Sequence, residues 1–161
     1  MPENDIREIL KEVKDPEIPT ISVVDLGIVT DIKVNGNDVF VELTPTFAGC
    51  PALKIMENMV SDRIKQVDGI GDVEVKTSFE KQWSTDLITE DGHKALLQHG
   101  LAPPKRNCSA LSMEILEDTK CPYCGSDDTT LNSPFGPTLC RSLHYCNSCK
   151  QAFEGFKPVV N

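Results

Sequence analysis

The sequence lacks any apolar run close to the roughly 18–20 residues of a membrane-spanning helix, so no membrane span is expected. A secretory leader is not expected either, because the opening residues Met1-Pro2-Glu3-Asn4-Asp5 are acidic and polar. Runs of lysine and arginine are missing. The net charge is −9, with 12 basic against 19 acidic residues over 1–107 and 4 against 6 over 108–161. A phosphate backbone would be repelled by both parts, which argues against nucleic-acid binding. Histidine is scarce, and none precedes His93, so the first half has no usual general base for a nucleophilic enzyme. His93 and His99 have no partner at ligand spacing. Repeats and low-complexity tracts are absent. Hydrophobic residues at 39% and charged residues at 25% fit a folded chain rather than a disordered one.

Cysteine is plentiful by contrast. There are seven, an odd number, and four fall in two C-x-x-C pairs. Without an export signal, this favours metal ligation over a disulfide framework and places the protein in the cytoplasm. A length of 161 residues suits one small domain plus a metal-held module.

Ile6, Ile9, Leu10 and Val13 form an apolar helical stripe that Asn4 or Asp5 can cap and Pro16 can end. An extended loop follows. Two alternating runs, Ile28 to Val34 and Val39 to Leu43, flank Asn35-Gly36 and predict an antiparallel hairpin. Residues 51–67 read as a helix through Leu53, Met56, Val60, Ile64 and Val67. A short strand follows at 73–77. The fold class is therefore α+β: an α-β-β-α-β domain over 1–80 with helices on one face of a small sheet, then a zinc-ribbon β module. Residues 81–107 read as a connector with a short helix at about 89–99, and Pro103-Pro104-Lys105-Arg106 as the boundary. Residues 108–161 are too few and too polar for an ordinary core and need a staple.

That staple is Cys121-Pro122-Tyr123-Cys124 followed, after twenty-one residues, by Cys146-Asn147-Ser148-Cys149. Two residues between thiols let both sulfurs face one ion, and two such turns complete a tetrahedron. Ser133-Pro134-Phe135-Gly136-Pro137 would form the tip of the intervening hairpin. Four sulfurs close the coordination sphere, so the site reads as structural. Iron can occupy the same tetrahedron, but the ligand type favours zinc. His144 could replace one thiolate, although four cysteines already satisfy the ion. Cys140 has two readings, a small apolar residue on the hairpin or a ligand for a second, labile metal. Cys108 reads as incidental.

Cys50, in Thr44-Pro45-Thr46-Phe47-Ala48-Gly49-Cys50-Pro51, is placed as the N-cap of the second helix, with Pro51 as the first helical residue. A helix N-terminus favours a thiolate, the form that binds iron or attacks electrophiles. The plain alternative is a small buried turn residue. One thiolate cannot hold an iron–sulfur cluster, which takes about four protein ligands. A second copy across a homodimer, a client cysteine, a small thiol or Cys140 would have to complete it. Asp15, Glu17 and Asp25 form an acidic cluster around two prolines. It reads either as a solvated loop or as a source of one carboxylate near Cys50.

Asp15-Pro16-Glu17-Ile18-Pro19, Val24-Asp25-Leu26-Gly27-Ile28-Val29 and Thr44-Pro45-Thr46…Gly49-Cys50-Pro51 resemble the SufT-like iron–sulfur assembly domain. Trp83-Ser84-Thr85-Asp86, Gly100-Leu101-Ala102-Pro103-Pro104, Cys121-Pro122-Tyr123-Cys124-Gly125-Ser126 and Phe135-Gly136-Pro137-Thr138-Leu139-Cys140 resemble the PaaD (PaaJ) family of the phenylacetyl-CoA epoxidase system in aerobic phenylacetate catabolism. The resemblance implies an accessory role rather than catalysis: loading or repairing iron or iron–sulfur centres in the oxygenase or reductase subunits. Carried over by position, Cys50 is the reactive thiol, Asp15 and Glu17 lie in the acidic loop, and Cys140 belongs to a recurring segment. Asp86-Leu87 departs from the family pattern, where an aromatic often follows the aspartate. The rival readings are a structural or docking subunit of the oxygenase with a purely structural zinc, a nucleic-acid-binding ribbon, and a thiol enzyme.

Overall fold

A computed structural model describes residues 1–106 and 112–159; Cys108 lies outside them. The chain forms two compact units. The first comprises residues 1–83 and 87–92, and the second residues 84–86 and those from 93 onward.

In the first unit, α1 (Glu3–Leu10) opens after Pro2, which is extended and makes no side-chain cap. Asn4 and Asp5 therefore lie inside the first turn rather than at the cap, where Glu3 and Asp5 suit the helix dipole. The helix ends at Leu10, short of Pro16, in tight turns that carry the amides of Glu12 and Val13 to the carbonyls of Ile9 and Leu10. Ile6 and Leu10 are wholly buried, and Val13 is 5% exposed.

The loop that follows is part of the core. Ile18, Ile21, Val23, Leu26 and Ile28 are buried along it. Asp15 N–H donates to Ile21 O at 2.9 Å and Val23 N–H to Val13 O at 2.9 Å, folding the segment back on itself.

Strands β1 (Val29–Asn35) and β2 (Asp38–Leu43) pair antiparallel, with a register shift between Val29 and Asp31. Asn35 pairs with Asp38, so the two-residue turn is Gly36-Asn37, one residue later than the sequence pattern implied. Gly36 has φ +63°, and a glycine with positive φ at the first central position is what a type II′ turn requires. Helix α2 (Leu53–Lys65) then buries Met56, Val60 and Ile64. It leads into β3 (Val73–Thr77), parallel to β2, which gives the order β1-β2-β3. Trp83 is buried in this unit, and its indole N–H donates to Leu26 O at 3.1 Å.

Helix α3 (Glu90–Gln98) gives its first turn to the first unit and the remainder to the second. The second unit contains β4 (Leu101–Ala102), α4 (Met113–Glu117), β5 (Thr129–Ser133), β6 (Arg141–Cys146) and β7 (Ala152–Phe156), with sheet order β4-β7-β6-β5. The stretch read as a connector thus supplies a strand. Leu101 and Ala102, each 1% exposed, pair in parallel with Glu154 and Gly155. Burial of these two apolar residues draws the segment into the sheet, and Pro104 is buried behind them.

Candidate metal centre and reactive thiols

Each C-x-x-C pair sits in a turn built by the same bonds. Gly125 N–H donates to Cys121 O at 2.9 Å, and Cys121 N–H donates to Ser126 O at 3.0 Å. In the other turn, Lys150 N–H donates to Cys146 O at 3.0 Å, and Cys146 N–H donates to Gln151 O at 2.9 Å. The residue after the second cysteine has positive φ in both: +75° at Gly125 and +62° at Lys150. Only the first turn uses the residue that adopts this conformation without strain. A hydrogen bond of 2.8 Å between Ser126 and Ser148 hydroxyls links the two turns.

The four sulfurs of Cys121, Cys124, Cys146 and Cys149 lie within 4.8 Å of one another. Cys121 and Cys149 are 3.7 Å apart, and Cys124 and Cys146 are 3.6 Å apart. Zinc–sulfur bonds of about 2.3 Å give a tetrahedron with edges of about 3.8 Å. The separations fit that figure and are far from the about 2.05 Å of a disulfide.

The electrostatics also fit a cation. Amide donation from Cys149 brings the Cys146 thiol down to about 7, whereas burial, followed by hydrogen bonding with Cys146, pushes Cys149 up to about 12. One thiolate forms readily and disfavours a second beside it. A divalent cation relieves that conflict by stabilising all four. Cys121 and Cys146 are buried, Cys149 is half-buried and Cys124 is exposed. Ala102 and Phe153 complete the small core around the buried pair.

Along β6, Ser142, His144 and Cys146 alternate onto the buried side. His144 is 1% exposed, stacks on Phe153 at 5.0 Å, and shares a 2.7 Å hydrogen bond with the Ser142 hydroxyl through Nε2. Burial pushes its imidazole below the ordinary value. The serine–histidine pair is tied to the small core of the metal centre through Phe153, on which His144 stacks. The period-two spacing back from Cys146 could have revealed it in the sequence.

Cys50 is half-buried, in a turn where its N–H donates to Phe47 O at 3.3 Å and its carbonyl accepts from Leu53 N–H at 3.4 Å. The N-cap position of α2 is held by Ala52, with no side-chain cap. Cys50, expected at the cap, therefore lies two residues ahead of the observed one, and Pro51 precedes the helix rather than starting it.

Asp15 is 8% exposed, so this acid is not in a solvated loop. Its Oδ1 accepts from Glu17 N–H at 2.8 Å and Ile18 N–H at 2.9 Å, which builds the turn between the prolines. Glu17 is exposed. Asp25 accepts from the Ser22 hydroxyl at 2.6 Å and the Thr89 hydroxyl at 2.9 Å. Cys140 is half-buried on the second unit, with its sulfur 3.1 Å from the Thr138 hydroxyl. Among the described residues, only the four ribbon cysteines form a convergent group of three or more histidine, cysteine or acidic donors. Cys50, Cys140, Asp15, Glu17 and Asp25 join no such group.

An α-β-β-α-β unit with one thiol ahead of its second helix, in the same chain as a four-cysteine ribbon, defines the class: an iron–sulfur assembly domain joined to a zinc β-ribbon. Residues 3–77 match the family described as iron-sulfur cluster assembly protein, and residues 108–157 match the PaaD zinc beta ribbon domain. The chain belongs to the PaaD family. It is 34% identical to a putative 1,2-phenylacetyl-CoA epoxidase subunit of Escherichia coli K12, over 97% of this chain and 93% of that one. It is also 36% identical to an Fe-S protein maturation auxiliary factor of Porphyromonas gingivalis, over 61% of this chain and 90% of that one. Among solved structures, a DUF59 domain from Bacillus anthracis is similar at TM-score 0.55 and 27% identity, covering 58% of this chain and 90% of that one. No helix among the described residues is long and apolar enough to cross a membrane.

Proposed function

We propose that this chain is an accessory maturation protein of a phenylacetyl-CoA epoxidase, the ring 1,2-epoxidation system of aerobic phenylacetate catabolism, and that Cys50 is the ligand through which iron or an iron–sulfur centre reaches its client. The observation that carries this reading is the pairing of an iron–sulfur assembly domain with the ribbon in a chain similar from end to end to an epoxidase component. The iron or cluster is cargo rather than a resident cofactor. A cluster takes about four protein ligands, and Cys50 converges with no pair of further donors among the described residues. The remaining ligands would come from a second copy, the client, a small thiol or Cys140. Incomplete ligation of this kind suits hand-over, because a loosely held centre can leave. Cys121, Cys124, Cys146 and Cys149 hold zinc, which supplies folding free energy and leaves no open position for chemistry. The clients are the oxygenase and reductase subunits, in the cytoplasm.

The test is iron and acid-labile sulfide bound after anaerobic reconstitution, in wild type and Cys50→Ser at equal zinc content. Wild type takes up both and the variant takes up neither, while zinc stays at one per chain in each. If both variants hold zinc alone, the carrier role is wrong, and a structural or docking subunit of the oxygenase becomes the better account.

A further inference from the structure

The β5–β6 end of the second unit is built unlike the rest of the chain. Residues 129–140 contain no charged side chain. Phe135 is 68% exposed and Leu139 is 66% exposed, the two highest values among the large hydrophobics of the described residues. Scattered exposed apolar residues need no explanation, but two on one short loop without charge do.

The loop is held in one shape. The Ser133 hydroxyl accepts from Phe135 N–H at 3.1 Å and donates to Phe135 O at 2.9 Å. Gly136 N–H donates to Arg141 O at 2.8 Å, and Lys157 N–H donates to Cys140 O at 2.8 Å. Pro134 and Pro137 fix φ on either side of Gly136. A Cβ at Gly136 would meet the Arg141 carbonyl at 3.0 Å, so the backbones are in close contact there. Apolar side chains on a fixed backbone lose little entropy on binding, which is the property of interface anchors.

Charge narrows the occupant. Residues 129–161 carry three basic residues against one acidic, whereas residues 1–128 carry 13 against 24. Arg141 is paired with Glu154 at 2.7 Å. Lys157 Nζ lies 5.2 Å from the Phe135 ring centroid, placing a cation at the rim of the apolar tip. A chain of net charge −9 with one cation at this tip is a poor ligand for an anionic membrane. Contact between the tip and an acidic face of a second copy would join unlike surfaces, which gives a closed ring only at special rotations and otherwise an open filament, so a distinct partner is the simpler occupant.

We propose that this tip docks the oxygenase component of the epoxidase, with Phe135 and Leu139 entering an apolar pocket rimmed by carboxylates. The inference rests on the functional reading above. The experiment is calorimetric titration of purified epoxidase oxygenase component with the zinc-loaded full chain. The Phe135→Ser/Leu139→Ser double variant, with zinc content and circular dichroism matching wild type, binds roughly 30-fold or more weakly. Lys157→Glu keeps both apolar side chains and also weakens binding. Ile55→Ser, which removes a 52% exposed hydrophobic from the first unit, leaves the affinity unchanged. If wild type binds and the tip variants bind equally well, the docking surface is wrong and the functional reading stands. If wild type does not bind, the oxygenase is not the partner of this tip and the inference falls, whereas the carrier role of Cys50 is judged separately by the reconstitution experiment. Self-association of wild type that the double variant abolishes, or binding to phosphatidylglycerol vesicles through the tip, would also overturn it.

Discussion

The two units hold their folds together with different material. The first buries Ile6, Leu10, Ile21, Val23, Val41 and Val60 to zero exposure, and its one cysteine, Cys50, sits half-buried in a turn outside that core. In the second, Cys121 and Cys146 are half of the small core cluster, with Ala102 and Phe153, and the sulfurs of Cys124 and Cys149 close the group. Cysteine is structural where apolar side chains are too few. Where they are plentiful, the cysteine stands outside the core. The same residue type therefore occupies two different settings in one chain, distinguished by burial and by converging donors.

Removing zinc should break this comparison with the largest effect. Structural zinc contributes about 10–16 kcal/mol of apparent binding free energy in small modules. Chelation at neutral pH should abolish amide protection in β5, β6 and β7 while leaving β1, β2 and β3 protected, as read by hydrogen exchange of the full chain. Equal protection in both sheets after chelation would mean that the ribbon stands on its own core.

The converse change acts on the first unit. Ile64, wholly buried on α2, fills its apolar core. Ile64→Ala should cost about 2–5 kcal/mol through lost burial and the cavity left behind. Denaturant unfolding of that unit would show the loss, with the zinc stoichiometry unchanged. A parallel loss of zinc would show that the stabilities of the two units are coupled.

The smallest effect sharpens the comparison between the two metal turns. Lys150 carries φ +62° where the matching turn has Gly125. Lys150→Gly should relieve a left-handed conformation costing about 1 kcal/mol, offset in part by the greater freedom of glycine in the unfolded chain. A net stabilisation of a few tenths of a kcal/mol is expected, measured as slower zinc transfer to a chelator. Faster transfer would mean that the lysine side chain contributes more than its backbone costs.

Local patterns carried much of this structure. Two C-x-x-C spacings placed four ligands because each turn is a contact between near neighbours. The alternation on either side of Asn35-Gly36 placed the hairpin, although the turn itself settled on Gly36-Asn37. At Asp15 one of the two readings, a solvated loop, is overturned. The carboxylate is in fact buried, where it accepts from two loop amides, those of Glu17 and Ile18. Pattern reading misplaced Cys50 relative to α2, since Pro51 fits equally well inside a helix or in the turn before one.

By itself the sequence determined the four thiols that converge in the second unit, the order of helices and strands in the first unit, and the uncharged tip between β5 and β6. These depend on spacing along the chain, on side-chain period and on composition, all of which are local. Only the tertiary structure decided that Leu101-Ala102 would become an edge strand beside β7, that His144 would stack on Phe153, and that Cys50 would belong to no convergent group of three or more donors among the described residues. Each of these turns on which strand edge, cavity or side chain a distant segment meets, and short-range patterns do not encode that.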